Sequence, residues 1–161
     1  MGRKIVGGMK GPKEVPIFGA PANQRSSTGP IVCWFTDPPG VVFQLTEPAR
    51  MTLAMASWVT GPAFNAMVEH FPASRSFIFL IDLRAMNERE PGVREIFMKL
   101  ARESGPLLSA SVIIPPRHAN PLYLRALQSA SVLLAPFGAQ LEVTGDLPAV
   151  LQRYRLRPAN V

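Results

Sequence analysis

Phe77-Ile78-Phe79-Leu80-Ile81 is apolar at every position, and Asp82 follows it directly. Unbroken apolar character over this length indicates a strand that is covered on both faces, because a half-exposed strand would alternate apolar and polar residues. Strands of this kind lie in the middle of sheets that have helices on both sides. We therefore predict a central strand that ends at Asp82.

The sequence after this strand alternates between helical and extended patterns. The apolar residues of 93–101 recur at three- and four-residue spacing, which is typical of a helix with one buried face, and Gly105-Pro106 ends that helix. The later helices carry start signals in which a capping side chain precedes the first turn. The further predicted elements are a strand over 107–114, a helix from Asn120-Pro121 to about Ala130, a strand over 140–143 and a helix from Asp146 to Tyr154.

Three strands are predicted before the first helix. The runs 31–35 and 41–45 are rich in β-branched and aromatic residues, and the turn sequence Asp37-Pro38-Pro39-Gly40 joins them into a hairpin. We interpret Met51–Val59 as a third strand, because the proline at position 62 would break a longer helix. A helix over Pro62–Phe71 follows.

The predicted fold class is therefore α/β, a mixed sheet of about five to six strands with flanking helices in the order β-β-β-α-β-α-β-α-β-α. This prediction depends on the extended interpretation of Met51–Val59, and a long helix across residues 50–70 would contradict it. Residues 1–30 are rich in glycine, proline and serine and show no hydrophobic period. We predict that they form a flexible basic leader ahead of a single domain over 31–161.

The net charge of +6 suggests nucleic-acid binding, but the distribution of charge argues against that function. Residues 1–30 carry five basic side chains and one acidic one, whereas residues 31–152 carry nine basic and ten acidic ones. The excess of positive charge therefore lies at the chain ends and does not follow one element of the body. We expect no nucleic-acid partner.

Few residues are available for cofactor or metal chemistry. The single cysteine, Cys33, excludes an internal disulfide and a multi-thiolate zinc site, and its apolar neighbours indicate a buried structural thiol. We predict no cofactor and no metal, because only two histidines are present. The sequence shows neither a signal peptide nor an apolar run of about 20 residues, so we expect a cytoplasmic protein without a membrane span.

The order of elements, with certain local details, resembles the STAS family, the sulphate-transporter and anti-sigma-factor-antagonist domains that include the bacterial anti-anti-sigma proteins. The resemblance covers about residues 41–157, and it implies a STAS-like fold and a non-enzymatic regulatory or scaffold role. Three stretches carry it: Thr60-Gly61-Pro62 at a helix start, Phe77–Leu80 running into Ile81-Asp82-Leu83-Arg84-Ala85-Met86, and Val112-Ile113-Ile114-Pro115-Pro116 followed later by Phe137-Gly138-Ala139-Gln140-Leu141-Glu142-Val143 and the helix from Asp146.

The sequence departs from the family in the loop after Asp82. In the family this loop reads Asp-Ser-Ser/Thr-Gly and carries a phosphorylated serine or threonine, whereas Met86-Asn87-Glu88-Arg89-Glu90-Pro91-Gly92 contains no hydroxyl group. The resemblance therefore implies a module without a phosphoswitch. Glu88 and Glu90 place fixed negative charge before a helix, where acids also stabilise the helix dipole in the ordinary way.

We predict that the chain binds another protein through the loop and helix start that follow the central strand, with the leader as an accessory. The candidate partner-binding residues are Asp82, Asn87, Glu88, Arg89, Glu90 and Arg94.

Two other functions and one assembly stay open. A small-ligand or lipid-binding domain, as in some STAS-like relatives, requires an apolar cavity of at least about 300 Å³ beside the sheet. An enzyme would use Asp82 and His118, which we place on one rim of the sheet where ligands bind in open sheets. An exposed edge at 31–35 would allow a second copy to pair and form a homodimer.

Overall fold

The computed structural model describes residues 12–159. The strands are β1 (Gln24–Arg25), β2 (Ile31–Asp37), β3 (Gly40–Leu45), β4 (Ala49–Met51), β5 (Phe77–Asp82), β6 (Met86–Arg89), β7 (Leu108–Ile114), β8 (Leu141–Val143) and β9 (Arg157–Pro158). The helices are α1 (Leu53–Trp58), α2 (Phe64–His70), α3 (Val93–Ser104), α4 (Pro121–Leu134) and α5 (Leu147–Tyr154), and a π-helical turn, Val59–Ala63, joins α1 to α2.

Seven strands form one mixed sheet in the order β1-β2-β3-β5-β7-β8, with β9 also paired to β2. The hairpin of β2 and β3 is antiparallel, whereas β3, β5, β7 and β8 run parallel to one another. All six residues of β5 are buried, and β5 lies in the middle of the parallel strands. The predicted α/β class, the mixed sheet and the central strand ending at Asp82 are confirmed.

The sheet has a hydrophobic core on each face. Alternate residues of β5 enter the two cores, with Phe79 and Ile81 on one side and Ile78 and Leu80 on the other. Helices α1 to α4 cover the first face, and α5 covers the second. Burial of each large apolar side chain contributes about 1.5–3 kcal/mol, so both layers stabilise β5 from opposite sides. No helix within residues 12–159 has the length and apolar character needed to cross a membrane.

The predicted strand over Met51–Val59 is wrong. Thr52 caps a helix there, since its Oγ1 accepts a hydrogen bond from the amide of Met55 at 3.1 Å, and the helical path continues through the π turn to His70. Pro62 lies inside that π turn, where the wider turn accommodates its missing N–H. A helix across 50–70 does not contradict the mixed sheet, because it is the crossover that parallel β3 and β5 require.

The predicted flexible leader is also wrong where the structure describes it. Residues 12–22, which we call the N-terminal strap, pack on the sheet, and β1 pairs with β2. The Phe18 ring meets the Trp34 ring edge-on with centroids 5.6 Å apart, and the Trp34 indole N–H donates to the carbonyl of Ala20 at 2.8 Å. The part of the prediction that concerns residues 1–11 lies outside the described residues.

Irregularly spaced hydrogen bonds, most of them to one side chain, hold the strap, and the sequence of residues 12–22 therefore shows no hydrophobic period. The buried side chain of Gln44 accepts a hydrogen bond from the amide of Ile17 at 2.9 Å and donates to the carbonyl of Val15 at 2.8 Å. The amide of Glu14 donates to the carbonyl of Thr46 at 2.8 Å. Contacts of this kind satisfy an irregular backbone as well as a strand ladder does.

The edge that we expected to be open at 31–35 is partly covered. Val32 and Cys33 pair with β1, and Thr36 and Asp37 pair with β9. A second copy therefore does not find a free row of hydrogen-bonding groups along β2. Cys33 is fully buried within the strand, and this burial raises the pKa of its thiol to about 12, as expected for an unreactive structural cysteine.

We predict that Gly40→Ala destabilises the protein by about 1–3 kcal/mol, because the added methyl group would overlap the carbonyl oxygen of Ile78 on the neighbouring strand. Gly61→Ala is the matched control, since open space surrounds Gly61 in the helix and alanine favours helix by up to about 1 kcal/mol. Chemical denaturation of both variants measures the difference. Equal stability of the two variants would contradict the close approach of β3 to β5.

Candidate functional site

The segment between β5 and α3 contains a strand that the sequence did not predict. β6 pairs in parallel with β4, and the amide of Glu90 donates to the carbonyl of Met51 at 2.9 Å just beyond the pairing. At the other end the amide of Ala49 donates to the carbonyl of Ala85 at 3.1 Å. Because β4 lies far away in the sequence, local patterns could not reveal this partner. The backbone of the candidate site is therefore held at both ends.

Asp82 does not contribute to an exposed surface. Its side chain is 3% exposed, and the backbone amide of Arg84 donates to Oδ1 at 3.0 Å. The guanidinium of Arg84 donates from Nε to Oδ1 at 3.0 Å and from Nη2 to Oδ2 at 2.9 Å. This hydrogen bond raises the pKa of Arg84 above its ordinary value. Asp82 holds the turn after β5 together, and its predicted role as a partner-binding residue is not supported by this position.

The acid–base pair required by the enzymatic alternative is not formed. Both carboxylate oxygens of Asp82 bind Arg84, and His118 is exposed in the loop after β7 without a hydrogen bond to Asp82 in the part of the chain that the structure describes. Within residues 12–159, His, Cys, Asp and Glu side chains form no group of three or more that could hold a metal ion.

Asn87, Glu88 and Arg89, three of the residues that we predict to bind a partner, are exposed on β6. Glu88 forms an ion pair with Arg50 on β4, with 3.2 Å between Glu88 Oε1 and Arg50 Nε. Both side chains are about half exposed or more, so the pair adds little to the stability of the fold. The guanidinium of Arg89 lies over the ring of Tyr123, 5.0 Å from its centroid. The six candidate residues are thus divided: three face solvent, Glu90 and Arg94 are partly buried, and Asp82 is inside.

Helix α4 presents an apolar outer face that the sequence analysis missed. Leu122 is 74% exposed, and Val132 and Leu133 are also exposed further along the helix. Arg125 is the one charged residue among the fourteen of α4. The low charge of this helix was visible in the sequence and could have indicated the face. Tyr123, the residue after Leu122, contacts Arg89, so the first turn of α4 lies near the end of β6. We call Asn87, Glu88, Arg89 and Leu122 the docking surface.

An apolar cavity of about 110 Å³ lies between the sheet, α3 and α4. Small side chains from all three elements, Ala101, Ser111 and Ala130, leave the gap open. Among the described residues that line it, Arg89 and Arg94 are the charged ones. The cavity is smaller than the 300 Å³ or so that a typical small-molecule site requires, which argues against the ligand-binding alternative for a bulky ligand.

A second depression, of about 310 Å³, lies near Ser131, Gln140, Glu142 and Tyr154. It is open to solvent and lined by polar as well as apolar groups. It does not provide the apolar enclosure that the ligand-binding alternative requires.

Comparisons with known proteins bear on the fold. No protein-family model matches the chain, and no curated protein matches it. Among solved structures, the chain is similar to an uncharacterized protein of the DUF3478 family with a SpoIIAA-like fold from Shewanella loihica PV-4. Sequence identity is 15%, the TM-score is 0.54, and the match covers 88% of this chain and 98% of that protein. The chain therefore has a SpoIIAA-like, STAS-type fold, and the helix across 50–70 does not remove that likeness.

We predict that Asp82→Ala destabilises the protein by about 2–3 kcal/mol, because it leaves the partly buried guanidinium of Arg84 without its hydrogen-bond acceptors. Asp37→Ala is the control, since Asp37 pairs with Arg157 at 2.8 Å where both side chains are exposed, and its loss is expected to cost less than about 1 kcal/mol. Denaturant unfolding of both variants gives the comparison. A loss no larger than that of the control would show that Asp82 does not hold the turn.

Proposed function

We propose that the protein is a STAS-type regulatory module that binds another protein through the docking surface and performs no chemistry there. The observation that carries the proposal is the exposure of Asn87, Glu88 and Arg89 on a strand whose backbone is held by β4. The SpoIIAA-like fold supports the regulatory class, and the exposed Leu122 gives the surface an apolar part beside charged residues. Protein interfaces commonly combine an apolar centre with a polar rim.

The docking surface is ordered before a partner arrives. Gly92 precedes α3 with a φ of 95°, a left-handed conformation that glycine adopts readily. A methyl group added at Gly92 would come within 3.1 Å of the Leu53 side chain, so the start of α3 lies close to the start of α1. A surface whose backbone is already fixed loses little conformational freedom on binding, so a moderate number of contacts suffices for affinity.

Binding is not controlled by phosphorylation of the segment between β5 and α3. Residues 86–92 contain no serine, threonine or tyrosine, so a phosphate cannot be added there to those residue types. Glu88 and Glu90 instead supply permanent negative charge, which steers the choice of partner by charge complementarity.

Site-specific photo-crosslinking tests this function. A photoreactive residue replaces Asn87 in one version of the protein and Glu103, an exposed residue near the end of α3, in the control. We expect the version with the photoreactive residue at position 87 to form a covalent adduct with one other protein, and the version with it at position 103 to form no such adduct. The proposal would be contradicted if both versions crosslinked to the same proteins, or if the version at position 87 crosslinked to none.

The crosslinking experiment identifies the partner, which is then purified in its free form. The triple variant Glu88→Ala, Arg89→Ala and Glu90→Ala tests how strongly the docking surface contributes to the affinity for that partner. We expect at least about a tenfold loss of affinity, which corresponds to about 1.4 kcal/mol. The control variant, Arg102→Ala with Glu103→Ala, removes exposed charges elsewhere on α3 and should bind normally. Unchanged affinity in the triple variant would exclude this surface.

The cavity favours a second, narrower candidate function, the binding of a small apolar group. Its lining is almost wholly apolar, and an apolar cavity of about 150 Å³ in another protein is known to stay dry and to bind benzene. A ligand here would be a ring of that size or a short alkyl chain, with Arg89 and Arg94 able to contact a polar end.

We predict that Ala130→Leu stabilises the protein by about 0.5–2 kcal/mol, because the larger side chain fills the cavity. Ala126→Leu is the matched control on the same helix, since Ala126 is not among the residues around the cavity, and we expect a change within about 0.5 kcal/mol. Thermal unfolding measures both. Destabilisation by Ala130→Leu would show that the cavity is too small or too rigid to hold even a short apolar group.

A further inference from the structure

Four charged side chains meet where β5 and β7 end. Asp82 is the last residue of β5 and Arg84 follows it, Arg117 follows β7, and Glu14 reaches them from the N-terminal strap. Arg117 donates from Nη2 to Glu14 Oε1 at 2.6 Å and from Nη1 to Oε2 at 3.1 Å. The amide of Arg117 also donates to the carbonyl of Arg84 at 3.2 Å, which brings the two loops together. The carboxyl ends of parallel strands are the usual ligand-binding edge of an open sheet.

The two ion pairs in this group are not equivalent. Asp82 is buried and accepts hydrogen bonds from both Nε and Nη2 of Arg84. Both of its carboxylate oxygens are therefore bound by a residue of the same turn. The Glu14 side chain is 10% exposed, whereas the side chain of Arg117 is 47% exposed. Arg117 therefore reaches the surface, and within residues 12–159 Glu14 is its carboxylate partner.

Glu14 lies in a positive environment. The hydrogen bond from Arg117, with the charges of Arg117 and Arg84, lowers the pKa of Glu14 below its usual range. If Glu14 were absent, Arg84, Arg117 and Asp82 would leave one uncompensated positive charge at this edge. A guanidinium that presents two N–H groups side by side binds carboxylate and phosphate oxygens equally well in geometry.

The strap does not depend on this ion pair for its position. The side chain of Gln44 binds its backbone at two points, and Phe18 and Ala20 anchor it on Trp34. We therefore expect Glu14→Gln to leave the strap in place and to free the Arg117 guanidinium from its bound carboxylate.

We propose that Arg117, with Arg84 beside it, forms an oxyanion-binding site that Glu14 fills from within the chain. The strap then acts as an internal competitor for an external carboxylate or phosphate group. This site shares no residue with the docking surface and does not require a protein partner, so it stands or falls independently of the proposed function.

The test is the binding of inorganic phosphate and of acetate to the wild type and to Glu14→Gln. Binding is followed by NMR of the whole chain, with sodium chloride used to keep the ionic strength constant. We expect Glu14→Gln to bind at least one of the two anions about tenfold or more tightly than the wild type does, with the shifts centred on Arg84 and Arg117. Tighter binding of phosphate than of acetate would assign the site to phosphate groups, and the reverse would assign it to carboxylates.

Two further variants complete the test. Glu14→Gln combined with Arg117→Ala must lose the gained binding. Glu142→Gln is the matched control, because Arg153 also holds both oxygens of Glu142, at 2.6 Å each, but the Glu142 side chain on β8 is more accessible to solvent than that of Glu14. It should gain no binding. Equal affinity of the wild type and Glu14→Gln, or equal gains in Glu14→Gln and Glu142→Gln, would overturn the proposal.

The indole N–H resonance of Trp34 reports whether the strap stays docked, since this group donates to Ala20. If the strap detaches in Glu14→Gln, Arg117→Ala in the wild-type background supplies a second measurement. The proposal then requires that phosphate at high concentration shifts the resonances of the strap in the wild type and not in Arg117→Ala. The same response in both proteins would overturn it.

Discussion

The parallel pairing of β5 on both of its edges is the constraint from which the rest of the structure follows. Parallel neighbours must be joined by crossovers, and the chain moves in one direction across the sheet from β3 to β5, β7 and β8. Right-handed crossovers in one direction place their helices on the same face, where α1 to α4 lie. The opposite face receives α5 alone, so the apolar side chains of Trp34 and Val42 need another cover. Phe18 of the N-terminal strap supplies it.

The same topology explains where the polar groups lie. The parallel strands end along one edge, and the strap crosses that edge on its way to the second face. Its backbone is irregular, and the buried side chain of Gln44 binds it through the amide of Ile17 and the carbonyl of Val15. Asp82 closes the turn after the central strand, while Glu14 and Arg117 join the strap to the loop after β7. The edge of the sheet where the parallel strands end, at which open sheets usually bind ligands, is thus occupied by the N-terminal strap of the same chain.

Sequence patterns predicted the strands and helices that are determined by interactions between residues close together in the chain. The hairpin of β2 and β3, strands β5 and β7, and helices α3 to α5 with the caps Asn120 and Asp146 follow from residue periodicity and capping. Long-range contacts determined the rest. Pro62 predicted a break in the helix, but burial of Met55, Val59 and Met67 against one face of the sheet outweighs one lost hydrogen bond. The burial of Asp82 depends on its tie to Arg84, and the cavity depends on small residues from three separate elements, so neither could be seen in any single stretch.

Strand β6 connects the docking surface to the core through its pairing with β4, and neither strand belongs to the main sheet. β4 leads directly into α1 and β6 into α3, so the small sheet joins the first turns of two helices whose inner faces are buried. Arg89 lies at the end of this sheet, where it contacts Tyr123 and lines the cavity, and the exposed residues Asn87 and Glu88 precede it on the same strand. The two surfaces are therefore physically continuous through one short strand, because the residues of β6 contribute to both.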